Sequence, residues 1–289
     1  MENQRNHRRA NRTWRRVGQA LRYHKDILLA VIFLTVIALL AIFAFLSPYD
    51  PDAMDMLHRL EGPTPQHWFG TDDLGRDYFT RVLYGGRISL LVGITAMLLT
   101  TGIGILVGTL TGWYGGIIDN VLMRLVDVIS SIPWMVLVTV VSIFMRPGLQ
   151  TIILVIGLFT WEGNARLIRA ETMSVKKREY VLYAQSAGQS DAFIIWRHII
   201  PSVLPTVIIN ATSDVASAIM IESSLSFLGL GVQQPMSSWG SMLNRAQSVL
   251  GKAPYMALVP GVMIILTVFS FNKLGDLIRV FVEPKAIEK

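Results

Sequence analysis

Apolar stretches close to 20 residues long recur along this chain, and no other feature limits its fold so severely. A helix rises about 1.5 Å per residue, so about 20 apolar residues match the roughly 30 Å of hydrocarbon in a bilayer. Inside hydrocarbon every backbone N–H and C=O must be bonded within the protein, and for runs of this length that means helices. Six runs qualify: 27–46, 88–112, 121–145, 149–168, 200–222 and 255–274. The fourth is the weakest. Its apolar core, Thr151 to Trp161, rises only about 16 Å as a helix. It must be shielded by neighbouring helices, or extend to Ile168 with Glu162 and Arg166 facing protein or water. The predicted class is all-α, a polytopic membrane protein with six transmembrane helices. Composition bears on this in one way: only 16% of residues are charged, against about 25% in a typical soluble domain.

The net charge of +6 raises the question of nucleic acid. The basic residues, however, gather at the ends of apolar runs and form no hydrophilic domain, so they set membrane orientation instead. With the N-terminus in the cytoplasm, 19 of the 26 Lys and Arg fall on the inner side and 7 on the outer. Both termini are therefore expected inside. The expected organisation is a basic tail 1–26, a first helix 27–46, an external loop 47–87 and a transmembrane core of five helices 88–284, then a short tail 285–289. The core carries a cytoplasmic segment 175–199 and an external segment 223–254. The first run lacks a small-residue cleavage site at Ser47-Pro48-Tyr49, so it reads as an uncleaved span. In the external loop, Asp72 to Asp77 lacks calcium-loop spacing and reads as a capped turn leading into a helix.

Several chemistries are missing from the sequence. Cys is absent, which excludes disulfides and thiolate metal sites. There is no phosphate-binding G-x-x-x-x-G-K-[ST] loop, no H-E-x-x-H pair and no nucleophile–base constellation, so the chain reads as non-enzymatic and without a cofactor of its own. Asn11-Arg12-Thr13 and Asn210-Ala211-Thr212 fit a glycosylation pattern, but they fall in a cytoplasmic tail and in a span.

Within the spans, Gly104, Gly108 and Gly112 recur every four residues, with Gly116 one step on. That spacing marks one helix face where a second backbone can approach closely, in this chain or in a partner. Asp119, Arg124 and Asp127 open the third span; an i,i+3 pair of Arg124 with Asp127 is the structural reading. Pro133, after Ser130-Ser131, either opens a cavity or makes a kink re-satisfied by the Ser hydroxyls. Glu222, at the outer end of the fifth span, is an interface carboxylate or part of an external gate. Ser130, Pro133 and Glu222 are the candidate path or gate residues.

Residues 179–201, EYVLYAQSAGQSDAFIIWRHIIP, are amphipathic and lie on the predicted cytoplasmic side. Tyr180, Tyr183, Ala184 and Ala187 follow i, i+3, i+4, i+7 and share a helix face. Gly188 suits the left-handed residue that ends a helix. Ser190 then caps a second helix with Asp191 in its first turn, and Pro201 opens the fifth span. The product is a helix–Gly–helix elbow whose small tip suits a protein pocket better than lipid.

This stretch resembles the E-A-A-x3-G-x9-I-x-L-P signature of permease subunits of bacterial ATP-binding-cassette importers. Ala184, Gly188 and Pro201 match it; Leu182, Tyr183 and His198 depart from it. FGTDDLGRDYFTRVLYGGRISLLVG (69–93), GWYGGIIDNVLMRLVDVISSIP (112–133), ESSLSFLGLGVQQPMSSWGSML (222–243) and FNKLGDLIRVFVEP (271–284) are similar to the dipeptide/oligopeptide/nickel permeases, C-type. The resemblance implies a type I importer permease fold in a bacterial cell membrane. It implies four partners: a second homologous permease, two ATPase subunits that bind ATP and Mg, and an external substrate-binding protein. It makes the elbow a coupling helix seated on one ATPase, through Tyr180, Tyr183, Ala184, Ala187, Gly188, Gln189, Ser190, Asp191 and Pro201. Segment 223–254 would be the outer gate or docking surface. The implied cargo is a di- or oligopeptide, with nickel or a metal chelate as the alternative. A stand-alone channel or secondary transporter would need buried charges or inverted repeats; the sequence displays no convincing repeat, and the cytoplasmic elbow would have no role.

Overall fold

The computed structural model describes residues 25–282; most of the basic tail and the segment 285–289 lie outside them. Eleven α-helices follow in chain order among these residues. They are α1 (Lys25–Ile42), α2 (Tyr78–Tyr114), α3 (Gly116–Ser131), α4 (Trp134–Phe144), α5 (Leu149–Phe159), α6 (Glu162–Lys176), α7 (Glu179–Ser186), α8 (Asp191–Ile194), α9 (Ile200–Phe227), α10 (Trp239–Ala246) and α11 (Tyr255–Val282). A wide π-helical turn, Ile195–Ile199, joins α8 to α9.

Among the described residues, five stretches are long and apolar enough to cross a membrane: α1, α2, α5 with α6, α8 through α9, and α11. The α3–α4 pair makes a sixth if counted as one span, but its halves meet at 86°. The third apolar run is thus no single kinked helix. Ser131 donates to the Val128 carbonyl at 2.7 Å and satisfies part of the exposed end. Ile132 is extended and Pro133, which has no N–H, starts α4. A residue preceding Pro is driven out of the helical region, and that turns the chain.

The fourth run also departs from one uninterrupted helix. It breaks at Thr160 and Trp161, whose indole N–H donates to the Leu158 carbonyl at 2.9 Å. It then continues through α6 to Lys176, and it is the most buried of the candidate spans. Shielding by neighbours, which its short apolar core demands, comes chiefly from α2.

Helix α2 organises the bundle. Its 37 residues rise about 55 Å, and it touches α1, α5, α6, α9 and α10. It begins at Tyr78, ten residues before the apolar run, because Asp77 caps it by accepting from the Thr80 N–H at 2.8 Å. The loop from α1 is shorter accordingly. The turn before it is built as its composition suggests: Asp72 accepts from the N–H groups of Leu74 (2.8 Å) and Arg76 (3.0 Å). The Arg76 guanidinium closes on the same carboxylate at 2.6 Å, fully buried.

Segment 223–254 is part of the core at the α1–α2 loop end of the bundle. Trp239 is fully buried and donates to the Val82 carbonyl at 3.0 Å. Gly86 leaves room for its ring, since a Cβ there would meet the indole at 2.8 Å. Trp239, Met242 and Ala246 pack with Ile37, Tyr78, Val82 and Met256. Ser238 and Ser241 form a reciprocal cap at the start of α10.

Candidate functional site

The elbow is built by local rules. Helix α7 closes with two bonds: the Gly188 N–H to Gln185 at 3.0 Å and the Gln189 N–H to Ala184 at 3.2 Å. This paired closure requires a left-handed residue at the end, and Gly188 supplies it at φ +76°. Ser190 accepts from the Phe193 N–H at 3.4 Å and caps α8, with Asp191 in the first turn. Tyr183 is 77% exposed, and Ala187, Gly188, Gln189, Ser190 and Asp191 are exposed beside it.

Ala184 is not on that surface. It is 4% exposed and packs with Val181 against Trp113, Val175, Ile194, Ile199 and Val203. A small residue is needed there because α7 lies against the base of α6 and α9. The i, i+3, i+4 spacing correctly groups Ala184 with Tyr180 but does not say which edge of the stripe turns inward.

Tyr180 ties the elbow to α9. Ser202 donates to the His198 carbonyl at 2.6 Å, so the 2.9 Å contact between Tyr180 and Ser202 has the phenol as donor. Pro201 lies in the first turn of α9. Lacking an N–H, it cannot bond the carbonyl one turn back, and the wide π-helical turn Ile195–Ile199 directly precedes it.

Gly104, Gly108 and Gly112 face α6 of the same chain. A Cβ on them would fall 2.5 Å from Asn164 Cβ, 2.6 Å from the Ala165 carbonyl oxygen and 2.7 Å from Thr172 Cβ. Gly116 does not continue the strip. It follows Gly115 into the left-handed region, with open space around it.

Helix α6 also carries the charges that meet α3. Arg169 forks onto Asp119 at 2.5 and 2.6 Å. Arg166 reaches Asp127 at 3.1 Å and Ser130 at 3.2 Å. Asp127 therefore takes Arg166, not Arg124, as its partner. The two Asp lie eight residues apart and so on nearly one face of α3, the face turned to α6.

Glu222 sits in a buried hydrogen-bonded node. It is fully buried, bonded to Ser226 at 2.7 Å and Ser89 at 3.2 Å, with Ser223 at 3.5 Å. Ser89 in turn accepts from the Trp239 N–H at 3.2 Å. A buried carboxylate is stable only when its oxygens are bonded, and here those bonds join α2, α9 and the start of α10.

One constellation escapes the sequence reading. Asp214 sits mid-way along α9, roughly 20 Å of helix from either end. Asn164 donates to it at 2.7 Å. Asn210 donates to Asn164 Oδ1 at 2.5 Å and lies 3.4 Å from both Asp214 oxygens. The signal was present in the sequence: a single Asp within the apolar run 200–222 is an ionisable group at membrane depth, and such groups mark functional positions.

Comparison with known proteins places this architecture. Residues 104–288 match the family model described as binding-protein-dependent transport system inner membrane component. Residues 12–63 match the N-terminal TM domain of oligopeptide transport permease C. The chain is 35% identical to the oligopeptide transport system permease protein OppC of Bacillus subtilis, over 94% of this chain and 90% of that one. It is 39% identical to the dipeptide transport system permease protein DppC of the same organism, over 89% and 80%. It is likewise 39% identical to the glutathione transport system permease protein GsiD of Pectobacterium atrosepticum, over 94% and 90%. In fold it is similar to a chain of the MetNI methionine ABC transporter, with a TM-score of 0.58 at 18% identity, covering 68% of this chain and 94% of that one. The chain belongs to the binding-protein-dependent transport system inner membrane components, as a C-type permease of the dipeptide/oligopeptide/nickel branch of the ATP-binding-cassette importers.

Proposed function

We propose that this chain is one of two permease halves of an ATP-driven peptide importer. The elbow Glu179–Ile194 seats on a partner ATPase on the cytoplasmic side. The observation that carries this reading is the exposed, small-tipped surface from Tyr183 through Asp191, mounted on a rigid two-bond helix end. An isolated bundle gains nothing from holding an aromatic ring and a glycine turn out in water. A groove in a separate protein would cover both.

The contacts support a route of transmission. Closure of the ATPases around bound ATP and Mg displaces the elbow. Tyr180 passes the displacement to Ser202 at the foot of α9. The π-helical turn and Pro201 are where the α9 axis can change direction, since an interrupted bonding ladder is the usual place for a helix to bend. Peptide cargo is supported by the peptide and glutathione permeases to which the chain is similar. An external binding protein would deliver it at the α1–α2 loop end. Both termini lie in the cytoplasm on this reading, as the distribution of Lys and Arg favours.

The test is reconstitution of the complex with its second permease, its ATPases and its binding protein in vesicles. Ala187→Arg should leave the chain inserted while abolishing peptide uptake and uptake-coupled ATP hydrolysis. Uptake at the wild-type rate by this variant would refute the coupling role.

A further inference from the structure

We infer that Asp214, held by Asn164 and Asn210, is a membrane-depth binding site for the α-ammonium group of a peptide in transit. The inference deepens the peptide-importer reading and rests on it.

Three observations point to a ligand. First, the hydrogen bonds described for Asp214 come from neutral amides of Asn164 and Asn210. Amide donors fix a carboxylate's position and leave its net charge unbalanced, so a cation can still pair with it. Second, Asp214 is only partly buried, one turn from exposed Ser217. Beside it the exposed residues Ser213, Ser217, Met220 and Ser224 follow one another at three- and four-residue spacing along α9. A carboxylate at membrane depth is costly against lipid. It suits a water-containing path closed by the second permease. Third, the site is pre-formed. Gly104 brings α2 to within contact of Asn164, and the Asn164–Asn210 bond clamps α6 to α9. The two amides therefore keep their aim whether or not cargo is present.

A free peptide always presents one ammonium group, whatever its side chains. A single fixed carboxylate among hydroxyls recognises that common feature and leaves side chains unread, which suits a path serving many sequences.

The chain has no Cys, so Ser217→Cys, one turn from Asp214, gives a unique thiol in this subunit. In the reconstituted complex, trialanine should slow alkylation of that thiol by a membrane-impermeant maleimide at least threefold. N-acetyltrialanine, which lacks the ammonium, should not. D214N should remove the protection by trialanine and D214E should keep it. Equal protection by both peptides, protection that survives D214N, or protection by neither overturns the site. The last result would assign Asp214 to a cation of the second permease. Trialanine uptake by the same vesicles separates the two claims. Uptake together with any of those results removes only the site, whereas a complex that takes up no peptide removes the importer reading and the site with it.

Discussion

At the scale of residues, close approach decides what this chain tolerates. Gly108 faces the Ala165 carbonyl and Ile168, and a Cβ there would sit 2.6 and 2.8 Å from them. Gly102, one and a half turns away, meets nothing. Overpacking a tight contact costs about 1–3 kcal/mol, while Gly to Ala on an open helix surface gains roughly 0.5–1 kcal/mol. Gly108→Val should therefore lower the unfolding midpoint in detergent, and Gly102→Ala should hold or raise it. Equal shifts in both would refute the close-contact account. At Gly188 the cause is conformational instead. A side chain in the left-handed region costs about 1–2 kcal/mol, with no clash to add, since nothing lies near its Cβ position. The four-residue glycine spacing was legible in the sequence; which helix it faces was not, because spacing names a face and not a neighbour. Asp214 was legible as well, yet one carboxylate in a long apolar run is lost when the run is judged by its average.

At the scale of elements, two bonded nodes tie the helices together. The elbow meets α9 through the Tyr180–Ser202 bond. Tyr180→Phe removes that bond and keeps the ring against His198. It should reduce peptide uptake per ATP hydrolysed several-fold while complex assembly is unchanged, as measured by uptake and phosphate release in the same vesicles. An unchanged ratio would remove Tyr180 from the transmission route. The second node is centred on Glu222. Because it bonds α2, α9 and the start of α10, and because Trp239 fills the core beside it, removal of residues 232–248 should abolish stable insertion. A deletion variant that inserts and binds its ATPases normally would show the segment to be a separate external appendage. The helix–Gly–helix form of the elbow could be read from Gly188 and Ser190, since end closure and capping are local. The inward turn of Ala184 could not, since it depends on where α6 and α9 lie.

At the scale of the whole molecule, four further apolar stretches and one sharply bent pair accompany α2 among the described residues. The number of apolar runs was plain from the sequence because hydrocarbon thickness sets their length. The breaks at Pro133 and at Thr160–Trp161 were not, because a Pro or a polar residue at membrane depth is equally compatible with a bend and with a continuous helix shielded by neighbours. The surface left open along α9 and around the elbow is, on the proposed reading, covered by the other subunits. The central claim is that the elbow is a cytoplasmic seat for a separate ATPase. A cysteine placed at Tyr183 is the only thiol in this chain and tests it directly. In membranes stripped of ATPase it should react with an impermeant maleimide from the cytoplasmic face alone, and rebinding of the ATPase subunits should block the reaction. Labelling from the outer face, or labelling indifferent to the ATPases, would contradict the account.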